Sequence, residues 1–172
     1  MSATDEIYDP VLGYWITCKR EGENLIIDTR VRPGGGTRSH SHPNGEERFS
    51  IEEGEVEFTV GGRKVIAGPG DELSVPRGTK HAFRNVGGVE AVFRGELMPE
   101  PTGKGQEFFV EVAAAAERGM YTKYGIPTGP RSALHLLEIL ERYQDFAVVS
   151  SPPPTVQRLL FPLARRFARR HR

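Results

Sequence analysis

Three of the five histidines in this chain fall inside two short glycine-bounded blocks, and the spacing within those blocks constrains the fold more than any other feature. The first block runs from Gly34 across five residues to His40-Ser41-His42, across four more to Glu47, and across six more to Gly54. The second runs from Gly70 across five residues to Pro76-Arg77-Gly78, across two more to His81, and across three more to Asn85. Side chains alternate along a strand, so His40 and His42 present both imidazoles to one face. Pro43, Asn44 and Gly45 are turn formers that reverse the chain and bring Glu47 onto a neighbouring strand beside that pair. His81 follows a second turn and returns on a strand that can pair with the first block, adding a third nitrogen.

Three neutral imidazoles and one carboxylate make a mixed nitrogen and oxygen donor set. Such a set suits iron, manganese, nickel, copper or zinc better than calcium or magnesium, so one divalent transition metal per chain is expected at His40, His42, Glu47 and His81. The alternative for any one of these histidines is an ordinary barrel residue that satisfies buried backbone groups. His135 falls on a helical pattern and His171 in an arginine-rich tail, and neither is expected to be a ligand.

From Tyr14 to Met98 the sequence reads as short strands punctuated by glycine and proline, the pattern of an all-β sandwich or barrel. Strands are expected near Tyr14 to Lys19, Leu25 to Arg32, Thr37 to His42, Glu47 to Glu52, Val56 to Val60, Lys64 to Ala67, Glu72 to Val75, His81 to Val86 and Glu90 to Leu97. Alternation is plainest where Val56, Phe58 and Val60 share one face while Glu55, Glu57 and Thr59 share the other. Gly61-Gly62 supplies the positive φ that a tight hairpin turn needs. By parity, Phe49 and Ile51 lie on the side of Glu47, and Phe83 and Asn85 on the side of His81, which makes these four candidate substrate-pocket residues. Core packing is the competing role for the aromatics, and a turn or a bond to a ligand side chain is the competing role for Asn85.

The two blocks resemble the paired motifs of the cupin superfamily, with all ten motif positions present. The resemblance implies a mainly β fold, a double-stranded β-helix or jelly-roll barrel with a metal inside it, and covers roughly residues 10 to 98. It also selects Glu47 rather than Glu46 as the ligand, because Glu47 is the one that stands six residues before Gly54. Residues 1–98 are accordingly expected to form an N-terminal arm and the barrel, carrying the motifs at 34–54 and 70–85. Residues 99–172 are expected to form a helical extension packed on it. Small bacterial cupins with helical extensions look similar.

In that extension Gln106 to Arg118 suits a helix closed by Gly119, and Ser132 to Tyr143 repeats apolar residues at helical spacing. A third helix should follow Ser151, with Pro152 to Pro154 in its first turn, and Pro162 should kink or split it. Val156, Leu159, Leu160, Leu163 and Phe167 form an apolar stripe on that helix, among Arg158, Arg165, Arg166, Arg169, Arg170 and Arg172. Docking of the stripe, which would bury Leu160 and Leu163, is expected over attachment to an anionic membrane.

A chain of 172 residues fits one domain with a single core. Lys plus Arg and Asp plus Glu balance at 23 each, which gives no reason to expect nucleic acid as a partner. Cys18 is the only cysteine and sits beside the apolar run Val11 to Thr17, so a buried strand thiol is expected over a reactive one. No apolar run is long enough to cross a bilayer and the N-terminus begins with acidic residues, so a cytoplasmic location is expected. Edge strands and the apolar run Val11 to Ile16 call for cover, which points to a homodimer.

Four protein ligands leave two neighbouring positions on a six-coordinate metal. The expected function is a metal-dependent enzyme acting on a small organic molecule, with dioxygenase-type oxidoreductase chemistry favoured. On a redox-silent metal the same site would support isomerisation or cyclisation, with Glu47 as the catalytic base. A non-catalytic sensor or binding barrel is the reading from another class. No helix-turn-helix accompanies the blocks: the proline-rich stretch between the last two helical patterns is too long for one.

Overall fold

The computed structural model describes residues 6–168. The strands are β1 (Ile7–Asp9), β2 (Tyr14–Glu21), β3 (Asn24–Val31), β4 (His40–Ser41), β5 (Glu46–Glu53), β6 (Val56–Val60), β7 (Arg63–Ala67), β8 (Glu72–Val75), β9 (His81–Asn85) and β10 (Ala91–Met98). Helices α1 (Gly105–Glu117) and α2 (Pro130–Arg142), a short strand β11 (Val148–Val149) and helix α3 (Pro154–Ala168) follow. One sheet has the order β1-β2-β3-β10-β5-β8 and the other β11-β4-β9-β6-β7. Every pairing is antiparallel.

Alternation decides which residues lie between the sheets. Phe49 on β5 and Phe93 on β10 project from the first sheet, and Phe58 on β6 and Phe83 on β9 from the second; all four are buried. Their rings meet at centroid separations from 4.8 to 6.5 Å in tilted and edge-to-face pairs, the arrangements that aromatic quadrupoles favour. Val31, Val56, Val75, Ala91 and Leu97 complete this core. The hairpin β6–β7 turns through Gly61 and Gly62, with φ of 56° and 86°, and its register closes at Val60 opposite Arg63. Cys18 is buried on β2, and burial, with a smaller contribution from Asp28, pushes its thiol up to about 12, which makes it inert.

Two strands escape the sequence pattern. β1 pairs with β2 and stacks Tyr8 on Trp15 at 4.6 Å, but three residues next to an acidic terminus are too few to show alternation. β11 is only two residues long. Conversely, the strand expected from Thr37 to His42 narrows to His40–Ser41. Its approach is bonded first to the N-terminal arm (Gly36 N–H to Leu12 O) and then to β9 (Thr37 N–H to Phe83 O), so no continuous ladder forms there.

The helices cover the N-terminal arm of the barrel from within the chain. Val11 and Leu12, from the run expected to need cover, pack with Tyr121, Ile139 and other residues of the α1–α2 region. Tyr121 donates its hydroxyl to the buried Asp9, which also caps the amides of Val11 and Leu12. α2 begins at Pro130, two residues before the expected start, because proline is at ease in a first turn. α3 starts at Pro154, with Pro152 and Pro153 outside it, and runs through Pro162 without being split. Pro162 lies on its exposed side. The face that α3 buries also differs from the expected stripe. Phe161 and Ala164 pack on Leu137 of α2 with Leu140 and Leu160 beside them, while Leu159 and Leu163 are exposed. Gln157 sets this rotation: its buried amide donates to the carbonyls of Val149 and Pro152. Arg169, Arg170, His171 and Arg172 lie outside the described residues. No helix among the described residues is long and apolar enough to cross a membrane.

Gly54, which closes the first histidine block, has φ of 77°, and a Cβ there would come within 2.8 Å of the Ala91 backbone. Gly54→Ala is therefore expected to cost on the order of 2 kcal/mol or more in urea unfolding, through strain and clash together. Gly88→Ala, at a site where a Cβ meets nothing within 4 Å, should stay within about 0.5 kcal/mol of the parent.

Candidate metal centre

The two sheets bring His40, His42, Glu47 and His81 of the histidine blocks to one point. His40 on β4 stands directly opposite His81 on β9. His42 follows β4 into the turn, where its carbonyl accepts from the Gly78 amide at 2.8 Å. Glu47 comes across from the other sheet, where β5 places it between Val75 and Leu97. The imidazole centroids lie 4.3 Å apart for His40 and His81, 5.0 Å for His40 and His42, and 5.5 Å for His42 and His81. One donor atom from each of the four residues lies within 4.8 Å of all the others. Ligands on opposite sides of a transition ion stand about twice a bond of roughly 2.0–2.3 Å apart, so the spread has the right size.

The hydrogen bonds around the rings decide which nitrogens face inward. Nδ1 of His40 meets the Arg38 carbonyl at 2.8 Å, Nδ1 of His42 the Phe146 carbonyl at 2.8 Å, and Nδ1 of His81 the Thr79 carbonyl at 3.0 Å. A carbonyl only accepts, so each Nδ1 carries a proton and, in a neutral ring, each Nε2 carries a bare lone pair. Those of His81 and His42 lie 2.8 and 3.3 Å from Oε2 of Glu47. Glu47 Oε2 and His81 Nε2 are buried and have no hydrogen-bond partner despite that proximity. Lone pairs facing a carboxylate need a cation between them or a second proton on a ring. The donor chemistry therefore fits a divalent transition metal.

The electrostatics express the same conflict. Burial lowers the pKa of His40 to about 3, reinforced by the neighbouring His81 and His42. Burial also opposes charge on His42, but the Glu47 carboxylate outweighs it and raises the imidazole above its ordinary value. Burial alone would raise Glu47; the neighbouring imidazoles, His42 first and then His81, hold it well below the usual carboxylate range. The cluster is thus poised to keep Glu47 ionised and to exchange protons on nitrogen for a cation.

Of the residues expected to line a substrate pocket, Phe49, Ile51 and Phe83 are all buried in the barrel core. Phe49 lies nearest the cluster, its ring 6.3 Å from that of His81. The Asn85 amide is engaged with backbone: Nδ2 donates to the carbonyls of Val31 and Val89, and Oδ1 accepts from the Gly87 amide. Glu46 is outside the cluster and pairs with Arg48 at 2.9 Å. His135 is also remote, 3.4 Å from the Arg118 guanidinium. Sequence reasoning missed the carbonyl acceptors, and Phe146 above all, because a backbone carbonyl carries no residue signature. It missed Glu100 as well, a fully buried carboxylate that pairs with Arg20 at 2.5 Å and adds to the field at His42.

The comparisons with known proteins agree with this architecture. Residues 28–98 match the family described as Cupin domain. Protein SchB of Streptomyces halstedii is 38% identical over 74 residues, which are 41% of this chain and 54% of that protein. Polyketide synthase CurC of Streptomyces cyaneus is 36% identical over 75 residues, 42% of this chain and 49% of that protein. The chain thus spans about half the length of these curated relatives. A structure described as a predicted oxalate decarboxylase from Thermotoga maritima superposes with a TM-score of 0.52 at 20% identity, covering 56% of this chain and 93% of that one. At that identity the likeness is one of fold. Residues 28–98, which carry both histidine blocks, thus match the cupin domain, and the two facing antiparallel sheets have the cupin fold.

Proposed function

We propose that His40, His42, Glu47 and His81 hold one divalent transition metal, and that the chain is a metal-dependent enzyme acting on a small organic molecule, with dioxygenase-type chemistry favoured. The observation that carries this reading is the set of three inward Nε2 atoms, each fixed by a protonated Nδ1, around the buried Glu47 carboxylate. A bound iron, manganese, nickel, copper or zinc ion would supply Lewis acidity and, for the redox-active members, electron exchange with dioxygen. The protein's part is orientation and proton handling. Oε2 of Glu47 faces His42 and His81, whereas Oε1 turns toward Gly95, where a Cβ would lie 3.5 Å away. With no side chain on Gly95 to cover it, Oε1 is the atom that would take a proton from an enolisable carbon or a phenol. Phe49 would give the substrate an apolar wall, with Ile51 and Phe83 behind it and Asn85 bracing the turn below.

The name of the Streptomyces cyaneus relative supports substrates of polyketide type, which carry enolisable ketones and phenols. It also supports the second reading, a redox-neutral cyclisation or isomerisation with Glu47 as base. Oxygen uptake separates the two: the metal-loaded protein with a panel of 1,3-diketones and catechols should consume dioxygen in step with substrate loss. Substrate conversion without uptake would replace oxygenation by cyclisation or isomerisation. Binding without conversion would leave a sensor.

Elemental analysis of the purified protein should find about one transition metal per chain. His42→Ala and His81→Ala should each lose most of it while the circular dichroism of the barrel is unchanged, because strands and core supply the fold. Metal at one hundred times its Kd should stabilise the parent by about 2.7 kcal/mol and the variants far less. Full occupancy in both variants would overturn the ligand assignment.

We also propose a homodimer. β7 is the edge strand of its sheet and exposes Val65 and Ile66, an apolar edge that a second copy would cover. Light scattering at tens of micromolar, a concentration of the order at which weak pairs persist, should give about twice 19.1 kDa. A monomer mass would sink the proposal.

A further inference from the structure

His40 and His81 find their Nδ1 acceptors two residues back, at Arg38 and Thr79, so the barrel orients those rings unaided. His42 does not. Its acceptor is the carbonyl of Phe146, 104 positions further along the chain and beyond the matched cupin region. The Phe146 ring stands edge-on to the His42 imidazole with centroids 5.3 Å apart. It is gripped in turn by Phe108 and Phe109 of α1, at 5.3 and 5.8 Å. α1 approaches so closely that a Cβ on Gly105 would come within 2.8 Å of the Phe146 ring.

The segment around Phe146 is tied to the barrel at several points beside the histidines. Asn44, two residues past His42, donates from Nδ2 to the Asp145 carbonyl at 2.9 Å. β11 pairs Val148 with Ser41 and Val149 with His40. The Ser150 amide donates to the Ser39 carbonyl at 2.8 Å. Gln157 holds the far end, with its amide on the Val149 carbonyl at 2.8 Å.

We propose that the segment 145–150 is a working part of the metal centre, with Phe146 as a positioning residue, so that metal affinity is coupled to the seating of the helical extension on the barrel. The inference rests on the metal reading given above. Its physical basis is the tautomer. Without the Phe146 carbonyl, the His42 proton has no fixed acceptor at Nδ1; the ring can turn, and the neutral imidazole can carry its proton on Nε2, the nitrogen meant for the ion. Bonds of this kind, from outside the ligand set to a ligand histidine, contribute about 10- to 100-fold in metal affinity. Coupling is reciprocal, so an ion that favours the ordered His42 also favours the seated segment.

The test titrates the metal-free protein with Co²⁺, followed by its visible absorption and by competition for Kd. The variants are Phe146→Ala, Phe146→Leu and the double variant Asn44→Ala with Gln157→Ala, which loosens the segment from its two flanks and touches no ligand. Phe146→Ala and the double variant should bind Co²⁺ about 10- to 100-fold more weakly, with an altered absorption band and unchanged circular dichroism. Phe146→Leu, which keeps an apolar anchor between His42 and α1, should recover much of the loss. If Phe146→Ala does not fold, the double variant decides alone. In the parent, saturating Zn²⁺ should slow hydrogen exchange of the Ser150 amide. Affinity within twofold of the parent in the folded variants, or exchange at Ser150 that is indifferent to Zn²⁺, would overturn the coupling. A parent that takes up no Co²⁺ would instead sink the metal reading itself.

Discussion

Three imidazoles whose Nδ1 atoms are held by backbone carbonyls gather beside one buried carboxylate, with the remaining nitrogens of His42 and His81 against it, and the fold has to carry that arrangement whether or not an ion balances it. A buried charge left without compensation costs several kcal/mol. Offsetting it falls to the apolar core that begins immediately beside the cluster. Phe49, Phe58, Phe83 and Phe93 join the two sheets, and full burial of a side chain of this size contributes about 1.5–3 kcal/mol. The four cluster residues are thus mounted on the part of the barrel best able to resist relaxation. The same rigidity keeps His42, Glu47 and His81 from drawing apart to solvate their charges individually.

That mounting is shared unequally between the barrel and the extension. The barrel supplies every side chain of the cluster and two of the three carbonyl acceptors, while the extension supplies the third. Further polar contacts fix the extension in place. Tyr121 reaches the buried Asp9 of the N-terminal arm, and Glu100, just past β10, is held by Arg20 of β2 and by Thr102. Asp9 shows how such a contact is tolerated. Burial raises its pKa, yet it accepts from Tyr121 and from two backbone amides, which satisfies the carboxylate and lowers the cost of keeping it charged.

How much of this was legible in the sequence follows from what each feature depends on. The barrel strands follow from local alternation and from turns that need glycine, so β5, β6 and β8 are found within a residue or so of their expected bounds. The grouping of His40, His42, Glu47 and His81 was legible because side-chain identity and spacing both mark it. What stayed hidden depends on backbone groups or on distant partners. β11 exists because β4 offers it an edge, and Phe146 matters through its carbonyl. The buried face of α3 was misjudged because hydrophobicity alone favoured Leu163. The Gln157 amide, bonded to Val149 and Pro152, turns the helix so that Phe161 and Ala164 face α2 instead.

The distribution of burial within the cluster indicates the side from which a substrate would come. His42, Glu47 and His81 are buried, whereas His40 is only partly so. Phe146 covers His42 and Phe49 stands beside His81, so neither of those sides offers an approach. The two residues just before His40 are polar and meet the extension. Ser39 meets Ser150 through their hydroxyls, and Arg38 donates to the Lys123 carbonyl and packs close to Gly125. Loops have more freedom to change than strands that share a core. Changes in the loop at 122–129 would therefore alter which molecules reach the centre while leaving the four cluster residues in place. On the metal reading, the barrel would fix the chemistry that is possible, and the extension would set access to the centre and affinity for the ion.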